Sequence, residues 1–146
     1  GRLADWWTPQ DVAAFEAAGK ALVAQYDAYE VLPGEKLDGT FTLGENIGDL
    51  AGLTVAYDAY RAALGGKEAP VIDGMTGDQR FFLGWAQVWR RNYRDQNLSA
   101  RITTDSHSPS IQRTWVSRNL DPWYKAFQVQ KDQKLYLDPK DRVRIW

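Results

Sequence analysis

The 146-residue sequence contains no cysteine and one histidine, and its 18 Lys and Arg residues nearly balance its 19 Asp and Glu residues. Without cysteine the chain has neither a disulfide framework nor a thiolate metal site. The formal net charge of −1 gives no electrostatic basis for binding nucleic acid or an anionic membrane surface. No apolar run approaches the roughly 20 residues of a membrane span. The 44% of hydrophobic residues instead predicts one globular domain with a real core.

The sequence also lacks an initiator Met and the common signature motifs of several enzyme classes. It opens on Gly1-Arg2-Leu3, so we expect it to be part of a longer protein. A GxSxG nucleophile turn, a P-loop and a Gly-rich dinucleotide turn are absent. Seven Trp residues are many for this length and predict extensive packing surfaces or an interface with a missing portion.

Apolar residues recur at helical spacing in four or five segments, which predicts a mainly α fold with long loops. The first helix should end before Pro33-Gly34, and Gly65-Gly66 should end the second, which we expect to be surrounded by protein. A third should extend through Tyr93, with Arg90, Arg91 and Arg94 near its end, and Arg101–Ser106 should be a loop or a short extended piece. The predicted helix starts share a Ser, Thr or Asp: Thr8, Thr42, Thr76, Ser108 and Asp121.

Two carboxylates, Glu45 and Asp49, lie four residues apart in the second helix, so their side chains share one face. Apolar surroundings accept two acids only when a cation, a metal or hydrogen-bond donors compensate them. Two interpretations remain open at this point. Glu45 can form a capping box with Thr42 while Asp49 is an exposed acid. Alternatively, Glu45 is a metal ligand and Asp49 an acid behind it that accepts a ligand histidine's second N–H.

Two residues outside this helix, His107 and Arg113, also have two interpretations. His107 is either a surface or capping residue or a catalytic imidazole. Arg113 is either solvated or salt-bridged, or it presents a fork of donors to a carbonyl or carboxylate. Val88 and Trp89 have helical core spacing, which by itself indicates packing.

The sequence blocks together resemble the C-terminal end of the neprilysin-like zinc metallopeptidases, which include endothelin-converting enzyme and bacterial PepO. The resemblance covers essentially the whole chain, 1–146, and implies the C-terminal part of a thermolysin-like (gluzincin) catalytic domain. Its blocks are DWWTP (5–9), LPG (32–34), GENIGDLAG (44–52), FFLGWAQVWR (81–90), TDSHSP (104–109) with Arg113, and RVRIW (142–146).

The resemblance implies a role for each candidate residue in hydrolysing peptide bonds by a zinc-activated water. Glu45 is similar to the third zinc ligand, and Asp49 to the acid that hydrogen-bonds a zinc-ligating His. His107 resembles the residue that stabilises the oxyanion of the tetrahedral intermediate. Arg113 resembles the residue that binds a backbone carbonyl of the peptide. Val88 and Trp89 correspond to positions near the pocket for the side chain after the scissile bond.

One part of the family pattern, the H-E-x-x-H helix, does not occur in this sequence. In relatives that helix supplies two zinc ligands and the general-base Glu shortly before the segment that resembles Asp5-Trp6-Trp7. We therefore expect the parent protein to be a zinc metalloendopeptidase that binds one zinc ion. We expect the isolated chain to be inactive, to bind zinc weakly or not at all, and to need the missing N-terminal part of the same enzyme.

The sequence also bears on the cellular location of the protein and on an alternative function. The lack of Cys resembles bacterial members, which favours the bacterial cell envelope, the periplasm or secretion over the cytoplasm. The alternative function is a non-catalytic helical module that binds a partner or forms a homodimer through exposed apolar surface. A carbohydrate-binding surface of Trp platforms is the weaker idea, because the Trp residues mostly fall at helical core positions.

Overall fold

A computed structural model describes residues 2–145, so the first residue and the last residue of the RVRIW block lie outside the described chain. Within that range the mainly α prediction is confirmed, with six α-helices rather than four or five. The helices are α1 (Pro9–Asp27), α2 (Leu43–Ala63), α3 (Gly77–Val88), α4 (Asp95–Thr104), α5 (Ser110–Thr114) and α6 (Asp121–Phe127). A small antiparallel hairpin pairs β1 (Glu30–Leu32) with β2 (Glu35–Lys36), and 3₁₀ turns cover Trp115–Asn119 and Pro139–Asp141. None of the helices within residues 2–145 is long and apolar enough to span a bilayer.

Two predicted helix starts have the local geometry expected of a capping box. The Thr8 hydroxyl accepts from the backbone N–H of Asp11 at 3.2 Å, and the Asp11 carboxylate accepts from the backbone N–H of Thr8 at 3.0 Å. Thr76 and Gln79 make the same reciprocal pair at 3.2 and 2.9 Å. Both helices therefore begin at the position that the capping-box sequence predicts.

Thr42 is the N-cap residue of α2 as predicted but its hydroxyl makes no capping hydrogen bond, and the capping prediction for Ser108 is wrong. One buried side chain explains both. Neither side chain caps a helix, and α5 begins after Pro109 rather than after Ser108. Instead, the Thr42 hydroxyl accepts from Asn46 Nδ2 at 2.9 Å, and the Ser108 hydroxyl donates to Asn46 Oδ1 at 2.8 Å. Asn46 is almost fully buried, so it requires these partners.

The segment between α3 and α5 also differs from the sequence expectation. The third helix ends at Val88, so Arg90, Arg91 and Arg94 follow the helix rather than lie in its last turn. Helix α4 runs through Thr104, where a loop or extended piece was predicted from Arg101. Burial of Ile102 against the core supplies the helix stabilisation that its β-branched neighbours do not.

The core lies where α1, α2, α3 and the 3₁₀ turn after α5 meet. Its members are buried apolar side chains from each of these elements: Leu22, Tyr26, Leu50, Leu53, Phe82 and Val116. The loop before α2 approaches α1 closely at Gly39, whose backbone N–H donates to Asp27 Oδ1 at 2.7 Å. A Cβ at Gly39 would lie 2.4 Å from the carbonyl oxygen of Val23, so only glycine fits there. This approach fixes the start of α2, the helix that carries the acids.

One face of α2 is exposed along the helix, whereas the sequence predicted a helix surrounded by protein. We call it the small-residue face of α2. Its members are exposed, uncharged and small or β-branched: Gly44, Gly48, Gly52, Val55, Ala56 and Ala59. No other residue of the described chain approaches a Cβ built at the three glycines within 4 Å. A second helix could approach this face closely.

Candidate active site

Four of the six predicted site residues meet beside the first half of α2. Glu45 and Asp49 lie one helical turn apart on α2, His107 lies in the loop before α5, and Arg113 lies on α5. His107 Nε2 is 3.1 Å from Glu45 Oε2, and Arg113 contacts both oxygens of Asp49. The fold therefore brings together residues that are more than sixty positions apart in the chain.

Asp49 is buried, with 6% of its side chain exposed, and it forms a two-pronged ion pair with Arg113. Arg113 Nε donates to Oδ2 at 2.7 Å, and Nη2 donates to Oδ1 at 2.6 Å. Burial disfavours the charged guanidinium, but the hydrogen bonds to Asp49 and the negative charges of Asp49 and Glu45 together outweigh it and raise the pKa of Arg113 above its ordinary value. The interpretation of Asp49 as an exposed acid is therefore wrong, because Asp49 is buried and a distant Arg compensates it.

The Arg113 guanidinium also lies over the ring of Trp89, with its central carbon 3.9 Å from the ring centroid. Trp89 is the C-cap residue of α3, and its ring packs edge-on against Trp85 at 5.5 Å. Stacking on the indole holds the guanidinium plane in place. Val88, in contrast, is 71% exposed, so its core interpretation is wrong. Trp89 thus joins the site geometry and Val88 does not.

His107 lies between two carboxylates. Its Nδ1 is 2.8 Å from Asp105 Oδ1, and its Nε2 faces Glu45. Each ring nitrogen therefore faces a carboxylate oxygen. The capping prediction for Glu45 is wrong, because its carboxylate contacts this imidazole and makes no capping hydrogen bond.

Asp105 is a site residue that the sequence interpretation did not assign. Its Oδ1 accepts from the backbone N–H of His107 at 3.0 Å as well as from the ring, and Oδ2 pairs with Arg101. The backbone and ring hydrogen bonds from His107 lower the pKa of the Asp105 carboxyl below its ordinary value. The Asp-x-His spacing was a usable signal, because an aspartate two residues before a histidine can accept from its backbone and ring together.

Asn46 links the His107 loop to α2. It lies next to Glu45 in the chain, and through the hydroxyl of Ser108 it ties the residue after His107 to the helix at 2.8 Å. The link is buried at both ends. It therefore fixes the spacing between the carboxylate of Glu45 and the imidazole of His107, and it also was not foreseen.

The donor set fits one zinc ligand from this chain rather than a whole site. Glu45 is 45% exposed, so one side of its carboxylate faces solvent. Both oxygens of Asp49 are already engaged by Arg113, although a carboxylate oxygen can accept a second hydrogen bond. Across residues 2–145, no group of three or more His, Cys, Asp or Glu side chains is placed to hold a metal ion. Catalytic zinc requires three protein ligands, so at least two would come from elsewhere.

Sequence comparison identifies a family to which the whole chain is similar. A model of peptidase family M13 matches residues 1–143. Neprilysin from Oryctolagus cuniculus is 38% identical over 153 aligned positions, which cover 100% of this chain and 20% of that protein. Endothelin-converting enzyme 1 from Cavia porcellus is 36% identical over 150 positions, with 100% and 20% covered. The chain therefore spans about a fifth of the length of these relatives.

Solved structures give the same result at the level of the fold. The inhibitor complex of the zinc metalloprotease Zmp1 from Mycobacterium tuberculosis superposes with a TM-score of 0.95 and 50% identity, covering 99% of this chain and 23% of that chain. PepO from Lactobacillus rhamnosis HN001 superposes with a TM-score of 0.82 and 35% identity, covering 99% and 22%. The matches confirm the resemblance inferred from the sequence blocks and the fold that it implied.

Proposed function

Since this chain belongs to peptidase family M13, we propose that it forms one wall of the active site of a zinc-dependent endopeptidase that cleaves peptides. The observation that carries the proposal is the position of Glu45. Its carboxylate is half-exposed beside His107, while the neighbouring acid Asp49 is buried and neutralised by Arg113. One acid is thus left open to bind a ligand, and the other supports the wall behind it.

Glu45 is the residue of this chain that would hold zinc. When bound, zinc supplies Lewis acidity that polarises the scissile carbonyl and activates water. Asp49 would contribute a free lone pair to the N–H of a zinc-ligating His, since its bonds to Arg113 leave acceptor capacity on both oxygens. This role requires a histidine from outside the chain, because the only histidine here is His107.

His107 is suited to stabilise the negative charge that develops on the carbonyl oxygen. The contact of Nδ1 with Asp105 orients Nε2 towards Glu45 and the open side of the wall. An Nε2 proton directed at that space can donate to an oxyanion formed next to Glu45. The Arg101–Asp105 ion pair in turn restrains the aspartate.

Arg113 is suited to position the peptide. Its bonds to Asp49 use Nε and Nη2, which leaves Nη1 to donate to a backbone carbonyl of a bound peptide. The Trp89 ring under the guanidinium prevents that group from swinging away. Trp89 and Val88 would border the pocket for the side chain after the scissile bond.

The chain alone would be inactive and would not bind zinc tightly. It supplies one carboxylate ligand, and the remaining ligands and the general base would come from the rest of the enzyme. The small-residue face of α2 is exposed next to Glu45, as expected of a surface that another segment of the enzyme covers. A submicromolar zinc affinity of the isolated chain that disappears in Glu45→Ala would contradict this.

The test compares two variants of the complete enzyme. We expect Glu45→Ala to lose both zinc and turnover of a fluorogenic peptide. His107→Ala should retain zinc and lower kcat by about 10²- to 10³-fold, the cost of removing one oxyanion donor. Glu68→Ala is the matched control, because the Glu68 carboxylate is exposed and pairs with Arg61 rather than with a residue of the site. Full turnover in both site variants would refute the assignment.

A second candidate function is self-association, and the exposed small-residue face of α2 favours it. The isolated chain could form a homodimer through this face. Val55→Asp places a charge at its centre and would shift sedimentation velocity from dimer to monomer, whereas a monomeric wild type would exclude the idea.

For location we propose the bacterial cell envelope, the periplasm or the exterior. The absence of Cys and the 50% identity to a mycobacterial protease support a bacterial source.

A further inference from the structure

A groove lies between α3 and α5, and Trp89, whose ring carries the Arg113 guanidinium, forms part of its lining. We call it the α3–α5 groove, with a volume of about 570 Å³. Its apolar floor includes Leu83, Ala86 and Ile111, and Val88 is not part of it. Leu83 is 43% exposed and Ile111 is 57% exposed. The groove is therefore an accessible apolar surface on the side of α3 away from Val88.

Two cations, Arg90 and Arg91, form one edge of the groove. Neither makes a salt bridge within residues 2–145. The Arg91 guanidinium lies 4.7 Å from the centroid of the Tyr93 ring, which holds it in place without neutralising it. Five other arginines of the described chain are paired with acids: Arg61, Arg101, Arg113, Arg142 and Arg144. Arg80 and Arg118 instead donate to backbone carbonyls.

The groove continues the surface on which Arg113 would position a peptide. Trp89 lines the groove and also carries the Arg113 guanidinium on its ring. Ile111 belongs to α5 together with Arg113. A peptide held by Arg113 can therefore extend past Trp89 into the groove.

We propose that the α3–α5 groove binds an acidic segment of the substrate peptide, with an apolar side chain on the floor and flanking carboxylates on Arg90 and Arg91. Charge complementarity selects this occupant, because an apolar floor beside two unpaired guanidinium groups matches a segment such as Glu-Leu-Glu. The inference rests on the proposed peptidase function and adds a substrate preference to it.

The test uses the complete enzyme and two fluorogenic peptides that share the residues around the scissile bond. One carries a Glu-Leu-Glu extension and the other Gln-Leu-Gln. We expect the wild type to favour the acidic peptide about 3- to 10-fold in kcat/KM, as two exposed ion pairs allow. The double variant Arg90→Gln, Arg91→Gln should lose that preference through a higher KM for the acidic peptide alone. High salt should do the same to the wild type, since it screens exposed charges.

Arg94→Gln is the matched control, because Arg94 belongs to the same segment but does not line the groove. It should retain the preference. Equal rates for both peptides with the wild type would overturn the groove proposal while leaving the peptidase function intact. An equal loss on both peptides in the double variant would also overturn it, since it would show that Arg90 and Arg91 do not distinguish the charge of the extension. No cleavage of either peptide by the wild type would refute the peptidase function, and this inference with it.

Discussion

Replacing Asp49 by alanine removes the acid that neutralises a buried cation. Arg113 makes two short hydrogen bonds to the Asp49 carboxylate, and its side chain is mostly buried between α5 and α2. In Asp49→Ala no acid replaces that partner, so the guanidinium must stay buried and unpaired or break its packing on Trp89 to reach water.

The size of the effect follows from that geometry. Breaking a buried ion pair by removing one partner costs about 3–5 kcal/mol, because the remaining charge loses its compensation. With a urea dependence of about 1–3 kcal/mol per molar, the unfolding midpoint should fall by more than about 1 M. Asp49→Leu combined with Arg113→Met should recover part of the loss, since a well-packed apolar pair leaves no buried charge.

Urea unfolding of the 146-residue chain, followed by the fluorescence of its seven Trp residues, measures this directly. Glu68→Ala is the control: it removes the partner of Arg61 from an exposed pair and should leave the midpoint nearly unchanged. If Asp49→Ala shifted the midpoint no more than Glu68→Ala, the buried pair would not support the wall, and the reasoning would fail.

Three further predictions concern residues that position the site. Ser108→Ala leaves the buried Asn46 oxygen without its donor and should cost about 1–3 kcal/mol in urea unfolding. Gly39→Ala places a methyl group against a carbonyl of α1 and should cost about 1–3 kcal/mol, with no loss contradicting the close approach. The lowered pKa of Asp105 contributes stability that is complete above its unfolded value of about 3.9 and is lost as pH falls through the folded pKa. Acid titration of unfolding should therefore show a shallower loss below about pH 4 in Asp105→Asn than in the wild type, and equal slopes would contradict this.

The parts of the fold that short-range signals govern were predictable. Thr8 and Thr76 start their helices because each capping box closes within four residues. Thr42 and Ser108 are also residue types that favour the start of a helix, yet both hydroxyls instead form hydrogen bonds with Asn46. That choice depends on burying an amide between two segments 62 residues apart, and no local pattern encodes it.

The contacts of the candidate site likewise divide into those that local sequence predicts and those that it does not. The shared face of Glu45 and Asp49 follows from helical spacing and was predictable. The pairing of Asp49 with Arg113 spans 64 positions, so composition and periodicity could not assign it. Asp105 is different, since its position two residues before His107 was a local signal. The contact of Asp105 with the His107 backbone and ring was therefore predictable from the sequence.

The two acids of α2 solve the problem of burial in opposite ways, and the difference bears on function. Asp49 receives its compensation from Arg113 within this chain, so its position does not depend on a metal or on another segment. Glu45 has only the imidazole of His107 beside it and stays half-exposed. A pair required only for folding would gain nothing from leaving one carboxylate open beside an uncharged helix face. An open acid with a compensated acid behind it suits the metal site that we propose, because such a wall would already be in place when the other ligands meet it.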